Sequence, residues 1–121
     1  MATGSINANG IIKSSNPADK SVPNATVTEL ASLVLEPGTW LVGGVNQIGS
    51  GFNGEYVNYL YLNNNLSAID TERTYASSGG GNMMWRVLDL SSQTTIRFKM
   101  YQGSGSASTA KYISLIAVRL R

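Results

Sequence analysis

The sequence predicts an all-β domain, a single antiparallel sandwich or jelly roll of about eight short strands. Three observations lead there. Apolar and polar residues alternate through much of the chain, most cleanly in Thr94 to Tyr101, "TTIRFKMY", where Ile96, Phe98 and Met100 share one side and Arg97, Lys99 and Tyr101 the other. Clusters of Gly, Pro, Asn and Ser punctuate the chain at near-regular spacing. Helical periodicity has one candidate, Thr26 to Glu36, and alternation fits that segment equally well.

Taken in order, a short strand lies near Gly10 to Lys13, followed by the long connection "SSNPADKSVPN". Thr26 to Glu36 places Leu30, Leu33 and Val34 on one helical face, but Pro37-Gly38 closes it as a turn would, and it is read as a strand. Thr39 to Ile48 carries Trp40 and the pair Gly43-Gly44, which lets neighbouring groups approach closely or marks a bulge. Tyr56 to Leu62 is closed by three asparagines, and Leu66 to Thr74 is a weaker extended segment before "YASSGGGN". Met83 to Leu90, Thr94 to Tyr101 and Lys111 to Leu120 complete the set.

If successive strands alternate in direction, every second connection falls at the same end. Residues 36–38, 63–65 and 91–93 then form a plain base with both termini, while the long Gly/Ser-rich loops gather at the far end. Loops on a rigid scaffold are where binding usually resides. The last strand is apolar on both faces, Ile113, Leu115 and Ala117 on one and Ile116, Val118 and Leu120 on the other. A sandwich strand with one face in water should not be. Either a loop covers the second face or another subunit does; the second is expected, with Tyr112, Ile116, Val118 and Leu120 at the interface.

Composition sets limits. A chain of 121 residues fits one domain, residues 1–121, with residues 1–9 a flexible or attachment segment. Charged residues are 13% against a usual level of about 25%, and Asn, Ser, Thr and Gly replace them. The net charge is +2 and the basic residues are scattered, so no nucleic-acid partner is expected. No apolar run approaches the ~20 residues of a membrane span, and "MATGSINANG" lacks the basic start and apolar core of a signal peptide. Without cysteine or histidine there are no disulfides, no thiolate or imidazole metal ligands, and no usual serine triad.

Two motifs carry a resemblance. "LEPGTWLVGGVNQI", with Leu35, Pro37, Gly38, Thr39 and Trp40, and the closing "YISLIAVRLR", with Ala117, Val118 and Arg119, resemble the trimeric jelly-roll knobs at the tips of phage and prophage tail fibres. "YVNYLYLNNN" joins them, and the resemblance covers roughly Leu30 to Arg121. Such knobs are similar to the C1q/tumour-necrosis-factor fold. The resemblance implies a homotrimer on the virion, outside the cell, attached to other tail proteins through its N-terminus and recognising a receptor. Fibres of this kind carry a long fibrous N-terminal region, so this chain is expected to be an excised tip or to attach to another protein.

Candidate sites follow from that expectation. Saccharide binding needs flat aromatic faces and short polar side chains, and the parity argument puts Phe52, Asn53, Tyr56, Tyr75, Asn82, Tyr101 and Gln102 at or near the loop end. Arg73 could recognise an anionic sugar or phosphate, or pair with Asp70 or Glu72. Trp40 and Trp85 read as core. Asp70 and Glu72 share a strand face, but read as solvated charges rather than a glycosidase pair, and no calcium-loop motif joins them to Asp89. "SGGGN" lacks the lysine and helix of a phosphate loop, and the sequons at Asn24 and Asn65 read as chance. The reading is a non-enzymatic, cofactor-free, metal-free knob that binds a host bacterial surface saccharide without entering a membrane. Two rivals stand beside it: a structural trimerisation or decoration domain of a virion, and a secreted C1q-like lectin or signalling domain.

Overall fold

The computed structural model describes residues 12–49, 52–76 and 80–121. Among them the chain forms nine strands: β1 (Ile12–Ser15), β2 (Lys20–Val22), β3 (Val27–Leu35), β4 (Gly38–Ile48), β5 (Gly54–Leu62), β6 (Asp70–Ala76), β7 (Gly80–Leu90), β8 (Thr94–Gln102) and β9 (Ser108–Arg119). One sheet runs β1-β9-β4-β7, with β2 also on β9; the other runs β3-β8-β5-β6. All pairings are antiparallel.

The pairings nest. β1 and β2 share β9, β3 takes β8, β4 takes β7 and β5 takes β6, so the chain is one long antiparallel ribbon folded back at residues 63–69. Rolling the ribbon brings β9 against β4 and β8 against β5. That is a jelly roll, and the two sheets face each other across its core.

β8 shows how the sequence builds it. Thr94, Ile96, Phe98, Met100 and Gln102 are buried, and the residues between them are half-buried. β3 explains the helix-like spacing of its apolar residues. Register shifts between Glu29 and Ala31, so Leu30 is an extra residue and both Leu30 and Ala31 turn inward. A bulge thus breaks the period of two.

Gly43 and Gly44 serve opposite faces of β4. A methyl on Gly44 would meet the ring of Phe98, which reaches across from β8; a methyl on Gly43 would collide with the indole of Trp85, which lies over β4 on the outside. Each glycine is a hollow for one aromatic ring.

The two motifs behind the resemblance meet at the base. Trp40 is fully buried, its indole N–H donates to the Glu36 carbonyl at 2.9 Å, and Arg119 stacks over its ring at 5.6 Å while donating to the Pro37 carbonyl. Thr39 N–H donates to the Arg121 carbonyl at 2.8 Å. Gly38, at φ +149°, occupies backbone space that side chains avoid.

Two expectations need correction. The connection "SSNPADKSVPN" contains β2, whose Lys20, Ser21 and core residue Val22 pair with Ala110, Thr109 and Ser108 and extend the edge that β1 begins. The loops also do not sort cleanly by length: the base connection at 63–69 is not tight, and residues 77–79 alone separate β6 from β7 at the far end. The directions hold: the β2–β3, β4–β5 and β8–β9 connections share one end, and the C-terminus lies with the β3–β4 turn at the other. Residues 1–9 lie outside the described residues, as do Ser78 and Gly79 of "SGGGN".

Candidate functional site

At the loop end, Gln102 is the organiser. It is fully buried at the end of β8, and its amide N–H groups donate to the carbonyls of Val22 (2.9 Å) and Ser106 (2.7 Å). Its side-chain oxygen accepts from Ser104 N–H (2.8 Å) and the Ser104 hydroxyl (2.7 Å). Asn24 of the β2–β3 turn holds the same loop by accepting from Gly105 N–H at 2.8 Å. The β8–β9 connection is therefore held by part-buried hydrogen bonds to a buried side chain rather than left to solvent. Between it and the β4–β5 connection lies a cleft of about 400 Å³, lined by Phe52, Asn53, Ser104, Ser106, Ser108, Thr109 and Lys111 among others.

The structure divides the eight candidate saccharide residues into three groups. Phe52 and Asn53 line the cleft, but Phe52 is only 3% exposed and packs edge-on against Tyr56, with ring centroids 5.6 Å apart. It is a wall, not a stacking face. Tyr56, Asn82 and Gln102 lie near the loop end but are buried in the sandwich, so the expectation that these three contact a saccharide is corrected. Each continues the inward phase of its strand: Tyr56 with Leu60, Asn82 with Met84, Gln102 with Met100. Asn82 accepts from the Thr74 hydroxyl and donates to the Glu72 carbonyl.

Arg73, Tyr75 and Tyr101 form the third group, on the outer face of the β3-β8-β5-β6 sheet. Val57 sits between Tyr101 and Arg73, and Tyr59 and Tyr61 continue the row down β5 with centroids 5.8 Å apart. Lys99 lies 4.6 Å above the Tyr61 ring. Arg73 pairs with Glu55, not with Asp70 or Glu72. Burial raises the pKa of Tyr59, and the Tyr61 phenol adds to the shift. Burial also raises that of Tyr56; the Thr74 hydroxyl across the strand pair opposes the shift without reaching hydrogen-bond geometry.

The opposite outer face has another chemistry. Cross-strand register aligns Ile12, Val118, Leu41 and Val87 in one row, Ile116, Gly43 and Trp85 in the next, and Ser114, Val45 and Met83 in a third. No charge falls within those rows. Met83, Trp85 and Val87 are 60%, 50% and 56% exposed. Ile116 and Val118 are half-buried and Leu120 exposed, while Tyr112 stands apart in a bulge. The reading of Trp85 as core is corrected: its indole lies outside, over Gly43. The β7 contribution was legible as Met83, Trp85 and Val87, one alternate phase of "MMWRVLDL".

The carboxylates are dispersed. Asp70 accepts from the following N–H, and Asp89 accepts from the hydroxyl of Thr39, its partner across β4 and β7. Among the described residues, no three acidic side chains gather as a metal site would require.

No protein-family model matches the sequence, and no curated protein matches it. The fold is similar to solved structures. One is of Bacillus endospore appendages, described as disulfide-linked pili: TM-score 0.56, 15% identity, covering 92% of this chain and 90% of that one. Two are of infectious bursal disease virus: the Gx strain (TM-score 0.53, 15% identity, 89% of this chain) and the VP2 subviral particle (0.51, 14%, 89%). This chain spans 36% and 37% of the two viral chains. Likeness at such identity establishes a shared fold.

Proposed function

We propose that the protein is a non-enzymatic homotrimeric knob, of the kind found at phage tail-fibre tips, that holds a particle to a host bacterial surface saccharide. The observation that carries the reading is the contrast between the two outer faces of the sandwich. Three rows of the β1-β9-β4-β7 face, between Asp89 at one end and Lys111 at the other, are charge-free and largely apolar over about 400 Å² by strand spacing and rise, within the range of exposed patches that are often functional. The other face carries tyrosines and charges suited to water. An apolar patch without charge suits a copy of itself better than a charged partner.

The base and loop end support the orientation. Attachment at the base would project the cleft and its serine-rich loop outward. Linking weak saccharide sites on one trimer raises avidity by about 10²–10⁴-fold. A structural virion domain without a receptor is the second reading, favoured by the likeness to a spore pilus and a subviral particle. A disulfide-linked assembly is closed to a chain without cysteine, so its copies would be held by packing.

Light scattering across a dilution series tests the assembly. A stable species at three times 12.9 kDa is expected, and Val118→Asp should dissociate it. A monomer at every concentration would remove the knob reading. Retention of the purified trimer by host cells, lost on treating the cells with glycosidases, separates receptor binding from the structural alternative.

A further inference from the structure

The loop-end cleft has a charge asymmetry that a general saccharide reading does not use. Among the described residues its polar lining is Asn53, Ser104, Ser106, Ser108, Thr109 and Lys111: hydroxyls, one amide, one cation and no carboxylate. Neither ion pair found among the described residues involves Lys111. Its volume of about 400 Å³ falls within the range of small-molecule sites.

Two independent features build the cleft. Gln102 spends its whole hydrogen-bonding capacity on the β2 edge and the β8–β9 loop, fixing the backbone that carries Ser104 and Ser106. On the other side, β9 carries a bulge beside Lys111. Gln47 pairs with Lys111 and Val45 with Ser114, so Tyr112 and Ile113 together oppose Asn46. Tyr112 takes φ +50°, a left-handed conformation that tyrosine rarely adopts. Bulges re-aim side chains beside functional sites, and a strained residue persists where its surroundings hold it. Here the strained residue directly follows Lys111, the one cation among the described residues that line the cleft.

We infer that the cleft binds an anionic sugar residue, a ring bearing a carboxylate or a phosphate. Lys111 faces the anionic group while Asn53, Ser106 and Thr109 bond the ring hydroxyls. The inference rests on the saccharide reading above and adds the charge of the ligand and the site that selects it. A uronic acid and a sugar phosphate present the same chemistry, and the experiment distinguishes them.

The test titrates the whole chain, followed by NMR, with glucuronic acid, glucose 6-phosphate, glucose and inorganic phosphate. Wild type is compared with Lys111→Met and with Ser106→Trp, which fills the cleft; circular dichroism and solution mass confirm that both variants fold and assemble. At least tenfold tighter binding of one or both charged sugars than of glucose or inorganic phosphate is expected, weakened by salt and lost in both variants. Which charged sugar binds names the anionic group. Equal binding of glucose and the charged sugars, unchanged in Lys111→Met, overturns the charge inference and leaves the saccharide reading standing. Inorganic phosphate binding as tightly as glucose 6-phosphate reduces the cleft to an anion site and overturns the sugar assignment. Host polysaccharide retained equally by wild type and Ser106→Trp places the receptor site elsewhere and overturns the cleft. Failure of wild type to retain any host polysaccharide removes both readings together.

Discussion

Adding one methyl group at Gly44 and adding it at Gly43 should have different consequences, because the two hollows face different surroundings. At Gly44 the new carbon would sit 2.8 Å from Phe98 Cδ1 and Cε1, well inside the roughly 3.5–4.0 Å of a relaxed carbon contact. Phe98 is fully buried between its cross-strand neighbours Ala31 and Leu60, so its ring cannot retreat and the sheets must part. Overpacking of this kind costs about 1–3 kcal/mol, against about 0.5–1 kcal/mol gained when Ala replaces Gly in a strand. The net loss for Gly44→Ala is about 1–2 kcal/mol, a fall in Tm of about 3–12 °C for a domain of this size. At Gly43 the obstacle is the half-exposed Trp85 ring, which can swing away. Gly43→Ala should therefore leave the stability of the isolated chain near that of wild type while displacing Trp85 from the apolar outer face. Urea unfolding at several protein concentrations separates the effects: Gly44→Ala lowers the midpoint at every concentration, and Gly43→Ala only where self-association contributes. A Gly44→Ala variant as stable as wild type would refute the packing argument. So would a Gly43→Ala variant that is the more damaged of the two at all dilutions.

Three further outcomes follow from the same structure. Tyr112→Gly removes the left-handed strain and little packing, since Tyr112 is 73% exposed; a gain of about 0.5–1 kcal/mol in urea unfolding is expected, and a loss would show that its ring packs on something. Gln102→Leu leaves the Val22 and Ser106 carbonyls and the Ser104 donors without their partner; it should cost about 2–4 kcal/mol and speed amide exchange at Ser104 and Gly105, and unchanged exchange would deny its organising role. With no histidine or cysteine, stability should be flat from about pH 6 to 9. The folded pKa values of Tyr56 and Tyr59 are raised above 10.0, so the folded state holds more protons than the unfolded one beyond that pH, and stability falls as pH rises further. Tyr56→Phe should flatten that alkaline limb at little cost at pH 7, because its hydroxyl has no partner to lose; a steep loss below pH 9 would contradict the assignment.

The fold class was legible because alternation and turn chemistry survive in single segments: Ile96, Phe98 and Met100 are core, and Ile113, Leu115 and Ala117 face inward as read. What escaped was structure without an apolar signature. β2 is three residues long with a single core residue, Val22, too short to show a period of two, and it forms on the partners that β9 offers. The bulges at Leu30 and Tyr112 change phase through register, which a linear pattern does not carry. Tyr56, Asn82 and Gln102 were misread for another reason. The parity argument placed them near the loop end, as they are, but extending the period of two past each apolar run turns all three inside. Of the cleft, only Phe52 and Asn53 were legible; Lys111 and the serines reach it through the pairing of β9 with β4 and the fold of the β8–β9 loop, and no local motif marks them.

The nesting of the ribbon has a consequence for synthesis. β1 pairs only with β9, and Ile12 meets Val118, so the earliest strand stays without its partner until nearly the whole domain has been translated. At ordinary elongation rates that wait is on the order of 5–20 s. β9 is also the strand that joins β1 and β2 to β4. A chain that terminates after β8 would therefore leave β4 with an open edge and β1 and β2 with no sheet to enter, exposing the apolar residues of β4 to intermolecular pairing. Closure is the last step of folding by necessity, and the ribosome sets the earliest moment at which it can occur.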